Sequence, residues 1–283
     1  MRERSQRFDP RQTMQRETFE VFHYREPKPG AVEVHHHDFY EVYYLLSGKV
    51  EYWVDGKLVT MQPGDLLLIN PQELHRPVVD PQSPTYERIV LWINKEYLES
   101  LHGASMHLSR CFDMNQPSHT HLIRPEAAQR GALTARLGEL VQEFYSSEPG
   151  SDLAAQGLFL QFMVQLNRMA GQSGMGREDL GQLSALVQNA CAYIHENLSR
   201  SITLEQLAAQ LFVSKYHLSH AFSREMGVSL YRYILLRRLL MARQLMAEGE
   251  SAADAARACG FGDYTSFYRA FKSEYGISPR QFG

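Results

Sequence analysis

Residues 207–234 read LAAQLFVSKYHLSHAFSREMGVSLYRYI and residues 254–282 read DAARACGFGDYTSFYRAFKSEYGISPRQF, so one local pattern occurs twice near the end of the chain. Four residues of the first copy recur in the second: Phe222 as Phe271, Glu225 as Glu274, Gly227 as Gly276 and Ser229 as Ser278. A unit that is written twice requires one structural explanation for both copies.

Each copy has the layout of two short helices joined by a tight turn. In the first copy, Thr203 with Gln206 three residues later is typical of a helix-capping box. Ser214 is placed to cap a second helix, which Gly227 can end. In the second copy, Gly260 can take the positive φ that ends the first helix, and an aspartate at position 263 can cap the next.

The second helix of each copy leaves short polar and basic side chains on its outer face. Such a face fits the major groove of DNA, where short polar groups reach base edges and Arg or Lys meets guanine or phosphate. For one copy alone, a solvated helix face explains the pattern equally well, but the repetition with both caps favours DNA. The predicted contact residues are Lys215, Tyr216, Ser219, His220, Arg224, Tyr264, Thr265, Tyr268, Arg269 and Lys272.

SKYHLSHAFSREMG, from position 214, and GFGDYTSFYRAFKSEYGISPRQF, from position 260, resemble the DNA-binding domain of the AraC/XylS transcriptional regulators. The resemblance covers residues 188–283 and implies two helix-turn-helix units joined by one long helix, Leu230 to Ala247. Each unit would place its second helix in one of two successive major grooves. The resemblance assigns base reading to Tyr216, Ser219 and His220 in the first unit, and to Tyr264, Thr265, Tyr268 and Arg269 in the second. His220 departs from the family pattern, in which a more basic residue is frequent.

Period-two alternation with turn signals between runs extends from Thr18 to about Asn94 and predicts a barrel or sandwich of short strands. The candidate strands are residues 32–46, 50–54, 58–62, 66–69 and 86–93. Side chains alternate along a strand, so one face of the first candidate would carry His35, His37, Phe39, Glu41, Tyr43 and Leu45. We predict that this ligand-rich face points inward.

The spacing Gly30-x4-His35-x-His37-x3-Glu41-x6-Gly48, followed by PGDLLLINPQELH, resembles the two motifs of the cupin barrel. The resemblance implies a divalent-cation site formed by His35, His37, Glu41 and His75, which would suit iron, manganese or zinc. Regulators with a cupin-like sensor also bind a small organic effector, commonly a sugar, without metal. In that case Phe39 and Tyr43 would join the same four residues in the effector site, and no cofactor would be required.

After the strands, the periodicity becomes helical and predicts a hairpin of two helices that either forms a homodimer contact or packs on its own barrel. His119 and His121 are predicted to lie on a short surface strand rather than in a second site. The predicted domains are residues 18–124 for the cupin-like barrel, 125–170 for the helical hairpin, 171–187 for a linker and 188–283 for the DNA-binding domain. The fold class is therefore an α+β multidomain protein.

Composition agrees with two ordinary domains: 283 residues, 22% charged and 44% hydrophobic. The charged N-terminus does not resemble a secretory signal, no apolar run reaches the length of a membrane span, and the three cysteines form no CxxC pair. We expect a cytoplasmic protein with reduced thiols. Residues 181–283 hold 11 Lys and Arg against 8 Asp and Glu, whereas the remainder holds 18 against 24. The cationic surplus therefore lies where DNA would bind.

Three classes of function were compared. A regulator of transcription that binds promoter DNA, acts on RNA polymerase and responds to an effector in the barrel explains both halves of the chain. A metal-dependent cupin enzyme or a metal sensor explains only the barrel and leaves the duplicated helical unit without a purpose. A module that binds protein through its helix pairs disagrees with their basic outer faces. The sequence therefore favours a regulator over an enzyme.

Overall fold

A computed structural model of the chain describes residues 12–27, 30, 32–71, 73–116, 119–172, 180–181 and 183–282. Two compact units divide the chain: one ends at Gly181, and the other begins at Gln182 and is also assigned Glu33–His35. Among the described residues, no helix is long and apolar enough to cross a membrane.

The N-terminal unit is built on two antiparallel sheets. The strands are β1 Phe19–Glu26, β2 Tyr40–Ser47, β3 Val50–Val54, β4 Lys57–Met61, β5 Leu66–Ile69, β6 His75–Val79, β7 Tyr86–Ile93, β8 His102–Gly103, β9 Met106–His107, β10 Leu122–Ile123 and β11 Leu180–Gly181. Sheet A has the order β1-β7-β2-β5-β10, sheet B has the order β11-β4-β3-β6, and β8 pairs with β9 in a separate hairpin. Asp55 and Gly56 join β3 to β4 in a tight turn with φ of 45° and 94°.

The inner faces of the two sheets enclose a core that contains Tyr43, Leu45 and Tyr86 from sheet A and Tyr52 and Val59 from sheet B. The sequence predicted a cupin-like barrel or a sandwich of short strands. Within the described residues the strands form two separate sheets, so the sheet-rich domain agrees with this prediction although the two sheets do not close into one barrel.

The first candidate strand, residues 32–46, was predicted too long at its start, because β2 begins only at Tyr40. In the preceding segment the His37 Nδ1 donates to the Phe39 carbonyl at 2.8 Å. This local hydrogen bond occupies a backbone acceptor that a strand would use for pairing. The alternation that was expected to align His35 with Glu41 therefore does not hold.

The helical hairpin is present as α2 Ala127–Tyr145 and α3 Ser151–Gln172, after the short helix α1 Lys95–Ser100. Its apolar face packs on the outer face of sheet A, where the rings of Phe19 and Phe159 stack at 4.4 Å. The Tyr44 and Thr134 hydroxyls are also hydrogen-bonded at 2.7 Å. The apolar stripe thus has a partner in its own chain, and dimerisation through the hairpin stays a prediction.

Parts of the predicted linker, residues 171–187, lie in described secondary structure. Helix α3 continues to Gln172, β11 pairs with β4, and the first helix of the second unit begins at Ala185. Most of the rest of the predicted linker, residues 173–179, lies outside the described residues.

The C-terminal unit is helical throughout its described length. Its helices are α4 Ala185–Asn197, α5 Leu204–Gln210, α6 Lys215–Met226, α7 Leu230–Ala247, α8 Ala252–Ala258, α9 Tyr264–Tyr275 and α10 Pro279–Phe282. Thr203 and Gln206 form the predicted capping box, and the Ser214 and Asp263 side chains cap α6 and α9. Hydrogen bonds from Ser266 hold the pKa of the Asp263 carboxyl below its usual value. The predicted pair of two-helix units is therefore confirmed.

Helix α7 has the predicted bounds and holds both units. The Arg238 side chain donates to the carbonyls of Leu198 and Arg200, beyond the C-terminus of α4, at 3.1 and 2.6 Å. The Leu198 carbonyl also approaches the turn of the second unit, because a Cβ at Gly260 would lie only 2.5 Å from its oxygen. Gly260 has a φ of 78°. Position 260 therefore requires glycine for two reasons: its φ is positive, and the Leu198 carbonyl leaves no room for a Cβ.

We predict that Gly260→Ala destabilises the protein more than Gly276→Ala does. Both glycines have a positive φ, of 78° and 75°, so each alanine should cost about 1 kcal/mol of unfolding free energy from backbone conformation alone. A Cβ at Gly276 meets no described atom within 4 Å, whereas the Leu198 carbonyl must move at Gly260. The loss at Gly260 should therefore reach about 2–3 kcal/mol. Thermal unfolding followed by circular dichroism tests this, and equal losses in the two variants would contradict the described packing.

Candidate functional site

Three potential ligand residues meet in the interior of the N-terminal unit. His37, Glu41 and His75 are buried, and one ligand atom from each lies within 4.8 Å of the others. Glu41 is on β2, His75 is the first residue of β6, and His37 lies in the segment before β2. Residues from both sheets therefore contribute to one cluster.

The two imidazoles are oriented by backbone carbonyls. The His37 Nδ1 donates to Phe39 O at 2.8 Å, and the His75 Nδ1 donates to Glu73 O at 2.9 Å. A neutral imidazole that donates from Nδ1 carries its lone pair on Nε2. Histidine ligands of metals are commonly held in this way by a second hydrogen bond. The arrangement therefore fits a metal ligand or an acceptor for an effector hydroxyl.

Glu41 is the polar centre of the cluster. Its carboxylate accepts from the Trp92 indole N–H at 2.9 Å and from the Tyr52 hydroxyl at 3.5 Å, and it lies 3.4 Å from the His37 Nε2. Burial, with the Glu41 charge beside it, raises the pKa of Tyr52 well above its usual value. The phenol therefore stays protonated and remains a hydrogen-bond donor.

Of the four predicted metal ligands, the structure brings together three. His35 is buried, but among the described residues it does not belong to the cluster of potential ligands, and its Nδ1 donates to Glu33 O at 2.8 Å. The site is therefore a set of two imidazoles and one carboxylate rather than the predicted set of four. Two histidines and a carboxylate are a known donor set for divalent iron and zinc.

The prediction that His119 and His121 lie on a short surface strand was wrong, because the nearest following strand, β10, begins only at Leu122. His121 is buried rather than on the surface, and its Nε2 lies 2.8 Å from the Glu73 carboxylate, which is also buried. The rings of His119 and His121 are 5.0 Å apart. Sequence spacing gave no signal for this pair, because Glu73 precedes His121 by 48 residues.

A second polar group in the interior was missed by the sequence analysis. The Tyr43 hydroxyl donates to the Tyr86 hydroxyl, and the Arg88 guanidinium lies 4.2 and 4.7 Å from the ring centroids of Tyr86 and Tyr24. The Arg88 Nη2 reaches Glu26 at 3.4 Å, whereas its buried Nη1 has no hydrogen-bond partner among the described residues. The period-two pattern of β7 places positions 86, 88, 90 and 92 on one face. This pattern could have predicted that Arg88 lies on the same face as Tyr86.

The predicted DNA-reading face of the first unit is on α6. Lys215, Tyr216, His220 and Arg224 are exposed, and Ser219 is half-buried. Two of the cations are paired locally: Lys215 Nζ lies 3.2 Å from the Glu205 carboxylate, and the Arg224 guanidinium lies 3.1 Å from that of Glu225. Such exposed pairs are weak, so phosphate can replace the carboxylate partner.

The corresponding face of the second unit is on α9. Tyr264, Thr265, Arg269 and Lys272 are exposed, and Tyr268 is half-buried. The rings of Tyr264 and Tyr268 lie 6.4 Å apart on this face. Neither Arg269 nor Lys272 forms an ion pair with another residue in the part of the chain that the structure describes. Both side chains are exposed, so an external anion can reach them, although the Arg269 charge also helps to lower the pKa of the Asp263 carboxyl.

A domain with a polar, aromatic interior that precedes two helix-turn-helix units defines a ligand-responsive regulator of transcription. A family model for an AraC-like ligand binding domain matches residues 18–163, and a model for a helix-turn-helix domain matches residues 207–283. The first match covers more than half of the chain. The chain therefore belongs to the AraC family of DNA-binding transcriptional regulators.

Two transcriptional activators with a similar sequence agree with this assignment. The "HTH-type transcriptional activator RhaS" of Klebsiella pneumoniae (strain 342) is 26% identical over 252 residues, which cover 89% of this chain and 87% of that protein. The protein of the same name from Yersinia pestis bv. Antiqua (strain Angola) is 27% identical over 253 residues, with 89% of each chain covered. Fatty acid-bound ToxT from Vibrio cholerae strain SCE256 is a similar solved structure at 16% identity and a TM-score of 0.41, with 96% of both chains covered.

Proposed function

We propose that this chain acts as a cytoplasmic homodimer that binds double-stranded promoter DNA through both helix-turn-helix units and acts on RNA polymerase. The observation that carries the proposal is the duplicated, capped helix with a polar and basic outer face, on which Arg269 and Lys272 are exposed and form no ion pair within the described part of the chain. In such a protein, the first helix of each unit crosses the DNA backbone and the second enters the major groove.

The charge distribution supports the need for specific contacts and for a dimer. The C-terminal residues 181–283 carry a surplus of only three positive charges, and the rest of the chain is acidic. Non-specific DNA affinity depends on the number of neutralised phosphates. With so small a surplus, the proposed regulator requires base contacts and a second copy to reach the affinity typical of specific binding.

We propose that the effector is a small, hydroxyl-rich molecule, such as a sugar or a related metabolite, held between the two sheets. The interior offers acceptors at Glu41 and the imidazoles, and a donor at the buried Arg88 Nη1. Rings such as Phe39 and Trp92, whose centroids are 4.7 Å apart, supply the apolar surface on which a sugar ring can lie. This mixture of apolar walls and a few convergent polar groups is typical of small-molecule sites.

In a second candidate function, the cluster of His37, Glu41 and His75 binds a divalent metal ion. The buried donors of His37, Glu41 and His75, with both Nδ1 atoms bound to carbonyls, support this occupancy. A bound ion would act as a Lewis acid toward the oxygen of an effector, and the three residues would hold it. Because this role leaves the helix-turn-helix units to bind DNA, the proposal remains a sensor rather than an enzyme.

We predict different effects for two substitutions on α9. If Arg269 reads a guanine, Arg269→Ala should cost about 1–3 kcal/mol in operator binding and relax the preference at one base pair. Lys272→Ala should weaken the binding of all sequences alike, because phosphate contacts carry no base information. The measurement is fluorescence anisotropy with operators selected from random DNA by the full chain.

Arg25→Ala is the matched control, since Arg25 is an exposed arginine on β1 of the N-terminal unit and lies 3.8 Å from the Glu87 carboxylate. Its variant should bind the selected operator as the unaltered protein does. Unchanged affinity in both α9 variants would contradict the placement of this helix in the DNA groove.

The metal candidate predicts about one divalent ion per chain after the protein, without a histidine tag, is dialysed against zinc, manganese or ferrous iron. The double variant His37→Ala, His75→Ala should lose that ion, because two of the three donors are removed. His102→Ala with His107→Ala is the control, since this pair is exposed on the β8–β9 hairpin with rings 5.3 Å apart. Elemental analysis that finds no ion, or the same ion in every variant, would leave only the organic effector.

A further inference from the structure

The turns of the two helix-turn-helix units have the same backbone geometry but different side chains. After α5, the Phe212 N–H donates to Ala209 O at 3.2 Å and the next N–H, of Val213, donates to Ala208 O at 3.0 Å. After α8, the equivalent bonds run from Gly260 to Arg257 and from Phe261 to Ala256, both at 3.1 Å. Phe212 and Gly260 therefore occupy equivalent positions.

This position has a left-handed backbone in both units, with φ of 56° at Phe212 and 78° at Gly260. Glycine adopts this conformation freely, whereas a bulky residue does so at an energetic cost. The Phe212 side chain is 96% exposed, so packing inside the chain does not offset that cost. A strained and fully exposed aromatic residue indicates a contact outside the chain.

The second unit cannot offer the same contact. A Cβ at Gly260 would lie 2.5 Å from the Leu198 carbonyl oxygen, so no side chain fits there. The turn of the first unit has no such obstruction, and its side chain projects into solvent. The two units therefore differ in whether their turn can touch a partner.

The position of Phe212 relative to α6 identifies the partner as DNA. Phe212 stands two residues before Ser214, the N-cap of α6, and Tyr216 in the first turn of that helix is 78% exposed. In helix-turn-helix proteins, the N-terminal residues of the second helix contact base edges while the first helix crosses the backbone. The turn between these helices must then lie at the wall of the groove.

The surface around Phe212 has the chemistry of a DNA contact. The ring borders a shallow groove whose lining includes Arg200, Gln206 and Gln210 and contains no carboxylate side chain. A guanidinium and amide groups are suited to phosphate oxygens. An aromatic ring beside them can contact the apolar edge of the duplex, which is the thymine methyl group or the deoxyribose.

We propose that Phe212 is an additional DNA contact, peculiar to the first unit, and that its ring packs on the apolar edge of the duplex at the groove wall. This inference rests on the proposed DNA-binding function. It adds a residue outside both recognition helices to the surface that reads the operator.

The test compares Phe212→Gly with the unaltered full chain on an operator selected from random DNA. We expect Phe212→Gly to bind at least about fivefold more weakly while its melting temperature stays equal or rises, because the glycine relieves the backbone strain. Phe212→Tyr, which keeps the ring, should retain most of the affinity. Met114→Ala is the control, since Met114 is an exposed apolar residue of the N-terminal unit that lies outside the helical hairpin.

Replacing single thymines of the operator by uracil distinguishes the two apolar groups. If Phe212 contacts a thymine methyl group, one replacement will weaken operator binding by the unaltered protein and leave binding by Phe212→Gly unchanged. If Phe212 contacts deoxyribose, no single replacement will weaken binding by the unaltered protein alone.

Unaltered affinity of Phe212→Gly would overturn the inference, and a simultaneous loss of transcriptional activation would assign the residue to a protein partner instead. A fall in its melting temperature that accounts for the weaker binding would also overturn it, because the role would then be structural. Failure of the proposed DNA-binding function would look different, since the unaltered protein itself would select no operator.

Discussion

The fixed arrangement of the two helix-turn-helix units depends on the packing of α7. Its first turns contact the first unit, where the rings of Phe222 and Tyr233 lie 5.4 Å apart. Its later turns share a core with the second unit, in which Leu239 and Ala242 pack with Phe267 and other buried residues. A helix of 18 residues is about 27 Å long. One rigid element of that length can present two helices to grooves about one turn of DNA apart.

The same constraint predicts that substitutions in the contacts around α7 destabilise the protein. The ion pair between Arg232 and Glu274, at 2.7 Å, links α7 to α9, and Arg238 binds the carbonyls that follow α4. Gly260 lets the turn of the second unit approach one of these carbonyls. The repeat therefore folds as one body in which each unit limits the freedom of the other. Exposed side chains such as Arg269 and Phe212 can still change conformation when they contact DNA.

Local features of the structure followed from the sequence, because they depend on residues close together in the chain. The caps at Thr203 and Ser214, the bounds of α7 and the turn at Gly260 were predicted correctly. Contacts between residues far apart in the sequence were not predicted. The contact of Glu73 with His121 and the cluster of Arg88 with its tyrosines depend on how two sheets face each other. That information is carried by the register of the strands, which a spacing pattern does not contain.

The candidate sensor site was partly predictable for the same reason. The motif grouped His37, Glu41 and His75, and the structure brings these three residues together although His37 precedes β2. His35 was misplaced because the strand pattern was extended past its true start at Tyr40. The polar interior around Glu41 and Arg88 then required the three-dimensional arrangement, in which strand β7 contributes both Trp92 and Arg88.

The measurement that tests the central claim most directly is guanine-methylation interference on an operator selected by the full chain. If α6 and α9 enter successive major grooves, methylation should interfere in two patches on one face of the duplex, about one helical turn apart for each bound chain. Arg269→Ala should remove interference in only one of the two patches. A single patch that both helices share, or interference spread over both faces, would contradict the account.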